Sequence, residues 1–169
     1  MTQPNKRNAR AKLLLMMALC SSPVIASWAL YAARVPLGQK SVGELLPTQP
    51  FSAAASAAWP RGKWVLASVT RDGCDEVCRK RLFAQRQIQT AQGEDAGRLQ
   101  RVLLSNAPQA KADGVVLVSQ AADSLPQRGN GLYLIDPLGN QVMFYPDRAD
   151  PTKVIREVGR ILKTNNGLG

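Results

Sequence analysis

The 169 residues, 45% of them apolar, suffice for one ordinary domain with a short appendage and leave too little chain for two comfortable cores. With 22 Lys and Arg against 12 Asp and Glu, the formal charge is +10. Histidine is absent altogether, which excludes a Ser-His or Cys-His hydrolase triad and any imidazole metal ligand.

In chain order, the appendage comes first. Leu13 to Ala33 runs 21 residues without a charge, long enough to span a bilayer. Lys6, Arg7, Arg10 and Lys12 precede it, Arg34 follows it, and no acid occurs before Glu44. That asymmetry predicts a cytoplasmic basic N-terminus over 1–12, a transmembrane anchor over 13–33 in the inner (cytoplasmic) membrane, and an exported, periplasmic remainder. A cleaved signal peptide competes with this reading, because Ser27-Trp28-Ala29 offers small residues after an apolar stretch. Pro23 can kink a spanning helix without excluding it.

Setting the four leading basic residues aside from the 22 leaves 18 against the 12 acids, so the exported part is still basic. Its cations are not interleaved with stacking aromatics, and export removes nucleic acid as an expected partner. A solvated basic face near anionic lipid is the simpler reading.

Residues 34–61 read as a tether, with Pro36, Pro47, Pro50 and Pro60 set among Gly and the small-residue run Ser52–Ala58. The domain is expected over 62–166. It opens with GKWVLASVT, an apolar and β-branched run of strand length from Gly62 to Thr70. A helix follows over Glu76–Gln92, starting inside the cysteine motif, with Val77, Leu82, Phe83, Ile88 and Ala91 as its apolar stripe. Arg98–Ser105 and Gly114–Ser119 are buried-strand candidates, although the second could instead open a helix. GLYLID and NQVMFYP flank Asp136-Pro137-Leu138-Gly139, whose Asp, Pro and Gly positions predict a type I turn and a hairpin. A last helix is expected after Asp150 as N-cap and Pro151 in the first turn, with Val154, Ile155, Val158, Ile161 and Leu162 at helical spacing. Strand, helix, strands, hairpin and helix describe an α/β sandwich around a central mixed sheet.

Cys20 lies inside the apolar run, so Cys74 and Cys78 are the only exported cysteines. Outside the cytoplasm such a pair is a structural disulfide, a redox couple or a metal clamp. Arg71 and the run Arg79-Lys80-Arg81, with a helix N-terminus, favour a thiolate, whereas Asp75 and Glu76 oppose it. By position, Cys74 is the more exposed, attacking thiol and Cys78 the resolving one. Two thiolates suit Cu(I), and zinc would need four ligands where two are visible. Met143, the only exported methionine, falls in a hairpin strand and reads as core, as Trp59 and Trp64 read as packing residues at the domain's start.

The spanning run, the strand GKWVLASVT, the CxxxC pair with its helix, and YLIDPLGNQVMFYP through the final helix resemble the Sco family of cytochrome oxidase assembly proteins. The resemblance implies a thioredoxin-like three-layer sandwich with a central mixed sheet behind one transmembrane helix. It implies thiol reductant or copper-handling activity toward the oxidase subunit that carries the dinuclear copper centre, or toward another assembly factor. Copper in that family is held by the two cysteines and a histidine, whose place is matched here by Arg128. Cys74 and Cys78 are therefore the expected catalytic pair and the expected Cu(I) ligands. The alternative is a non-catalytic binding protein of the same fold with an inert disulfide.

Overall fold

The computed structural model describes residues 6–32, 41–71, 73–107, 113–121, 124–126 and 128–167, with side chains from residue 10 onward. Residues 1–5 of the expected basic N-terminus, Ala33 at the end of the expected span, and 34–40 of the expected tether lie outside the described residues. The chain divides into two units, residues 1–40 and 41–169.

The first unit holds helix α1, Lys6–Ala32. Its stretch Arg10–Ala32 is long and apolar enough to cross a membrane. Pro23 lacks the N–H that would otherwise bond the carbonyl of Leu19, and the neighbouring Ser22 hydroxyl donates to that carbonyl at 2.9 Å. Ser21 donates in the same way to Met17 O at 2.7 Å. Both hydroxyls are thus satisfied within the helix, as an apolar surrounding requires.

The second unit is built on one six-stranded sheet: β1 (Glu44–Leu45), β2 (Trp64–Thr70), β3 (Leu99–Ser105), β4 (Val116–Ser119), β5 (Gly131–Ile135) and β6 (Gln141–Tyr145). Helices α2 (Glu76–Thr90) and α3 (Pro151–Thr164) complete it, with 3₁₀ turns at Ser52–Ala55 and Gly93–Arg98. The strand order is β1-β6-β5-β2-β3-β4. β2 pairs in parallel with β3, and β3 with β4, whereas β5 and β6 add antiparallel beyond β2. A parallel β2–β3 pair needs a crossover, which α2 supplies, and the mixed sheet follows. Gly114–Ser119 resolves as strand β4 from Val116.

Every residue of β2 is buried, and alternation sends its side chains to two cores. Trp64 and Leu66 join Ile88 of α2, Val154, Val158 and Leu162 of α3, and Met143 on one face. Val65, Ala67 and Val69 join Val102, Leu104, Tyr133 and Phe144 on the other. The hairpin turns as expected: Gly139 N–H returns to Asp136 O at 3.0 Å, and Asp136 Oδ1 accepts from Leu138 and Asn140 N–H. Asp150 caps α3 by accepting from Thr152 N–H at 2.9 Å, with Pro151 in the first turn.

Two expectations are corrected. From Ser41 onward the segment read as a tether belongs to the folded unit, because Leu46, Phe51, Ala53 and Trp59 are buried against the sheet face opposite the helices. Phe51 lies 5.5 Å from Trp59 and 5.7 Å from Tyr133 between ring centroids. This irregular segment, pinned by β1 on β6 and by Pro50 opposite Asn140, is the third layer of the sandwich. Its few large apolar residues are spaced by prolines and alanines, so no periodicity marks them. The second correction concerns α2: its buried positions are Cys78, Arg81, Gln85 and Ile88, while Val77 and Phe83 are exposed. The apolar residues expected as a stripe point in several directions, and the face that meets the sheet is largely polar.

Candidate functional site

Cys74 and Cys78 meet at the carboxyl end of β2, where the chain leaves the parallel part of the sheet. They form a disulfide, with Cα atoms 5.0 Å apart. Local chemistry explains the turn that joins them. Thr70 Oγ1 donates to Gly73 O at 2.7 Å, and Gly73 takes φ 87°, a conformation open to glycine and strained for other residues. Asp75, between the cysteines, is the N-cap of α2, and its carboxylate accepts from Cys78 N–H at 2.8 Å. The acid that opposes a thiolate by charge thus also sets the helix start that favours one.

The two sulfurs differ in environment. Cys78 is fully buried under the first turn of α2, whereas Cys74 is only partly buried in the loop before it. Arg79 reaches from α2 to the carbonyl of Cys74 at 3.5 Å. Lys80 pairs with Glu76 one turn earlier, at 2.7 Å on the exposed side of the helix.

Beneath the pair lies a buried polar network that the sequence pattern does not reveal. Arg81, one turn after Cys78, is 5% exposed and donates to Val69 O at 2.7 Å at the end of β2. Its guanidinium also grips Asp147, in the connection from β6 to α3, through two hydrogen bonds. Gln85, another turn along, donates to the carbonyls of Leu66 and Val102, tying α2 to β2 and β3. The only sequence signal for this network is the spacing of 78, 81, 85 and 88 at helical intervals. In the sequence Arg81 reads as the last member of a solvated basic run.

Arg71, just before the cysteine loop, donates to Pro126 O at 2.8 Å, which holds Pro126 beside the start of that loop. Tyr133 donates its hydroxyl to Gly129 O at 3.0 Å from below. Burial pushes the Tyr133 hydroxyl up to about 12, with Arg71, Arg128 and Arg81 working against it. Arg128, the position matched to a ligand histidine, is exposed and forms an ion pair with Glu44 of β1. Met143 is buried among the helix-side core residues, Trp59 and Trp64 are buried in opposite cores, and Cys20 is exposed on α1.

Among the described residues, no three His, Cys, Asp or Glu side chains cluster as a metal site. The reduced pair would present two sulfurs and no nitrogen, a donor set that fits low-coordinate Cu(I) and does not fit Cu(II).

No curated protein matches the chain in sequence. Among solved structures it is similar to ScoI of Arabidopsis thaliana with copper bound, at 15% identity and a TM-score of 0.50, covering 62% of this chain and 86% of that one. It is also similar to copper-bound yeast Sco1, at 13% identity and a TM-score of 0.49, covering 62% and 78% of the two chains. A third likeness is to copper-bound ScoI of Bradyrhizobium japonicum, at 18% identity and a TM-score of 0.44, covering 59% and 85%. Residues 64–165, from the first strand beside the cysteines to the end of the last helix, match the C-terminal domain family described as transmembrane-like and thioredoxin-like. Disulfide, mixed sheet and helices agree with that match, and the chain belongs to the transmembrane-like, thioredoxin-like family.

Proposed function

We propose that this protein is a membrane-anchored thiol-disulfide protein that assists assembly of the copper centre of cytochrome c oxidase. Helix α1 holds it in the inner membrane with the N-terminus cytoplasmic and the domain over the periplasmic side. One observation carries the redox part: the disulfide at the start of α2 pairs a partly exposed sulfur, Cys74, with a fully buried one, Cys78. That asymmetry suits an attacking thiol and a resolving thiol. The assignment to copper-centre assembly rests on the resemblance of the CxxxC strand, helix and hairpin to Sco proteins, and it agrees with the copper-bound ScoI fold.

In the reduced protein, the Cys74 thiolate attacks one sulfur of a client disulfide. A mixed disulfide forms and one client thiolate leaves. Cys78, as thiolate, then attacks the Cys74 sulfur, the intramolecular disulfide closes, and the second client thiolate leaves. Two electrons pass from the pair to the client, and an external dithiol returns them. The amide of Cys78 is held by Asp75, and Arg81 anchors the same turn to β2 and Asp147, so the resolving sulfur starts from a fixed place. When reduced, Cys74 and Cys78 are also the residues that would hold a single Cu(I), and bound copper would supply the cargo for the oxidase. Arg128, matched to the family's histidine by resemblance alone, offers a cation in place of a neutral nitrogen, so this chain would handle Cu(I) without the nitrogen that stabilises Cu(II).

The test uses the full chain in membranes, offered an oxidised peptide from the copper-binding segment of the oxidase subunit. Cys78→Ser should trap a mixed disulfide through Cys74, and Cys74→Ser should not. Failure of the reduced wild-type pair to reduce the peptide, or to react with an alkylating reagent, would leave the inert-disulfide binding protein as the better reading. Titration with Cu(I) should give one bound ion, abolished by the double serine variant. A persistent Cu(II)-thiolate spectrum would overturn the ligand assignment.

A further inference from the structure

Helix α2 buries an arginine and a glutamine, Arg81 and Gln85, and leaves a phenylalanine outside: Phe83 is 66% exposed. A single exposed apolar side chain is ordinary on a protein surface. The neighbours of Phe83 set it apart. Arg79 and Arg86 stand four residues before it and three after it, which places all three on one exposed strip of the helix. Among the described residues, neither arginine forms an ion pair with an acid. Lys80, on the other flank of Phe83, is held by Glu76. Arg86 interacts instead with a further cation: burial, and after it the charge of Arg86, holds Arg101 of β3 below the usual arginine range, with Asp113 opposing. The strip thus offers an aromatic ring between two cations whose charge the described part of the fold leaves unbalanced.

The strip begins at the disulfide. Arg79 donates to Cys74 O at 3.5 Å, and Phe83 lies five residues beyond Cys78, about 8 Å along the helix axis. A protein partner of ordinary footprint covers about 800 Å² on each side, so one that presents a disulfide to Cys74 reaches Phe83. Aromatic residues and arginines are the types that most often anchor such interfaces.

We propose that Phe83, Arg79 and Arg86 form the docking surface for a client polypeptide that carries its disulfide next to an acidic, partly apolar segment. Phe83 supplies the apolar anchor, the two arginines select carboxylates, and Cys74 waits at the end of the strip where the client's disulfide is then held. The inference rests on the thiol-exchange reading above and adds the class of client that this site accepts.

Single-turnover reduction by the pre-reduced full chain in neutral detergent tests it. The probes are two synthetic peptides, each closed by a disulfide and equally rich in leucine, one bearing glutamates and the other lysines. The cysteine pair gives two electrons to the peptide disulfide and closes, so no further reductant takes part. Each rate is divided by the same protein's rate on hydroxyethyl disulfide, a small uncharged substrate, which removes any change in the thiols themselves. The wild type should favour the glutamate peptide about tenfold at low salt, and the preference should shrink toward unity at high salt. Phe83→Ala should slow both peptides several-fold in these normalised rates, and Arg86→Glu should remove most of the preference. Equal normalised rates for the two peptides would overturn the proposal and leave an anionic lipid surface as the remaining occupant for these cations. So would normalised rates unmoved by Phe83→Ala, or a preference that survives Arg86→Glu or high salt. Failure to reduce even hydroxyethyl disulfide would instead refute the thiol chemistry beneath the proposal, and so separates the two failures.

Discussion

Arg81 and Asp147 are joined by a two-pronged ion pair, Nε to Oδ1 at 2.5 Å and Nη2 to Oδ2 at 2.7 Å, with only the carboxylate reaching solvent. The arginine side chain is 4% exposed and the aspartate 37%. Removing the carboxylate leaves a buried cation with the Val69 carbonyl and, at 3.4 Å, the Ser68 hydroxyl for company, which is worse than removing both charges. Asp147→Ala should cost about 2–3 kcal/mol, less than a fully buried pair because water already reaches the carboxylate. Arg81→Met should cost less, since it removes the buried charge and keeps the volume. Urea unfolding of both variants checks the order, and a milder effect for Asp147→Ala than for Arg81→Met would contradict it.

The disulfide encloses a very short loop. In the chain-entropy view, closing a ring of about five residues stabilises by roughly 2 kcal/mol at most. Reduction should therefore lower the unfolding midpoint modestly and leave a single cooperative transition. The rest of the local structure, the Asp75 cap and the Arg81 network, does not depend on the bond. Loss of cooperativity on reduction would make the pair a structural staple.

Phe51 sits in the aromatic cluster with Trp59 and Tyr133, 3% exposed. Phe51→Ala should destabilise by about 3–5 kcal/mol, the usual cost of emptying an aromatic site in a core. By the same logic, a domain cut to begin at Gly62 should lose cooperative unfolding, because one sheet face would be stripped of Leu46, Phe51, Ala53 and Trp59. One beginning at Ser41 should keep it. Calorimetry of the two fragments distinguishes a tether from a third layer.

Alkaline pH should also weaken the fold. Burial raises the Tyr133 hydroxyl to about 12, and burial with the charge of Glu157 raises Tyr145 further. The folded state keeps these protons where the unfolded chain, with tyrosine near ~10, gives them up. Their contribution is thus complete below about pH 10 and is lost as pH rises through about 12. Phenolate absorbance should lag in the folded protein and appear together with unfolding. Tyr133→Phe should flatten part of this pH dependence, and an unchanged profile would show that Tyr133 is not the group involved.

Several features were legible without any fold. That α1 is long and apolar enough to cross a membrane is a matter of length and absent charge. The hairpin turn is written in Asp136, Pro137 and Gly139, and the last helix in Asp150, Pro151 and a clean apolar period. The cysteine pair at a helix start is likewise a local matter, since Asp75 caps the helix from within the motif. These all depend on interactions within a few residues of one another, which a linear pattern records.

The remainder depended on partners far apart in the chain. Whether Arg81 is solvated or buried turns on Asp147, 66 positions later, and whether Phe51 is tether or core turns on Tyr133. The role of Arg128 depends on Glu44, and the place where the domain begins depends on Glu157 binding Ser41 and Gly43. By itself, the sequence determined most of the helices and strands and the place of the two cysteines at a helix start. Only the tertiary structure decided which polar side chains go inside and where the chain joins its domain, because burial and ion pairing are settled by what the fold brings opposite each residue.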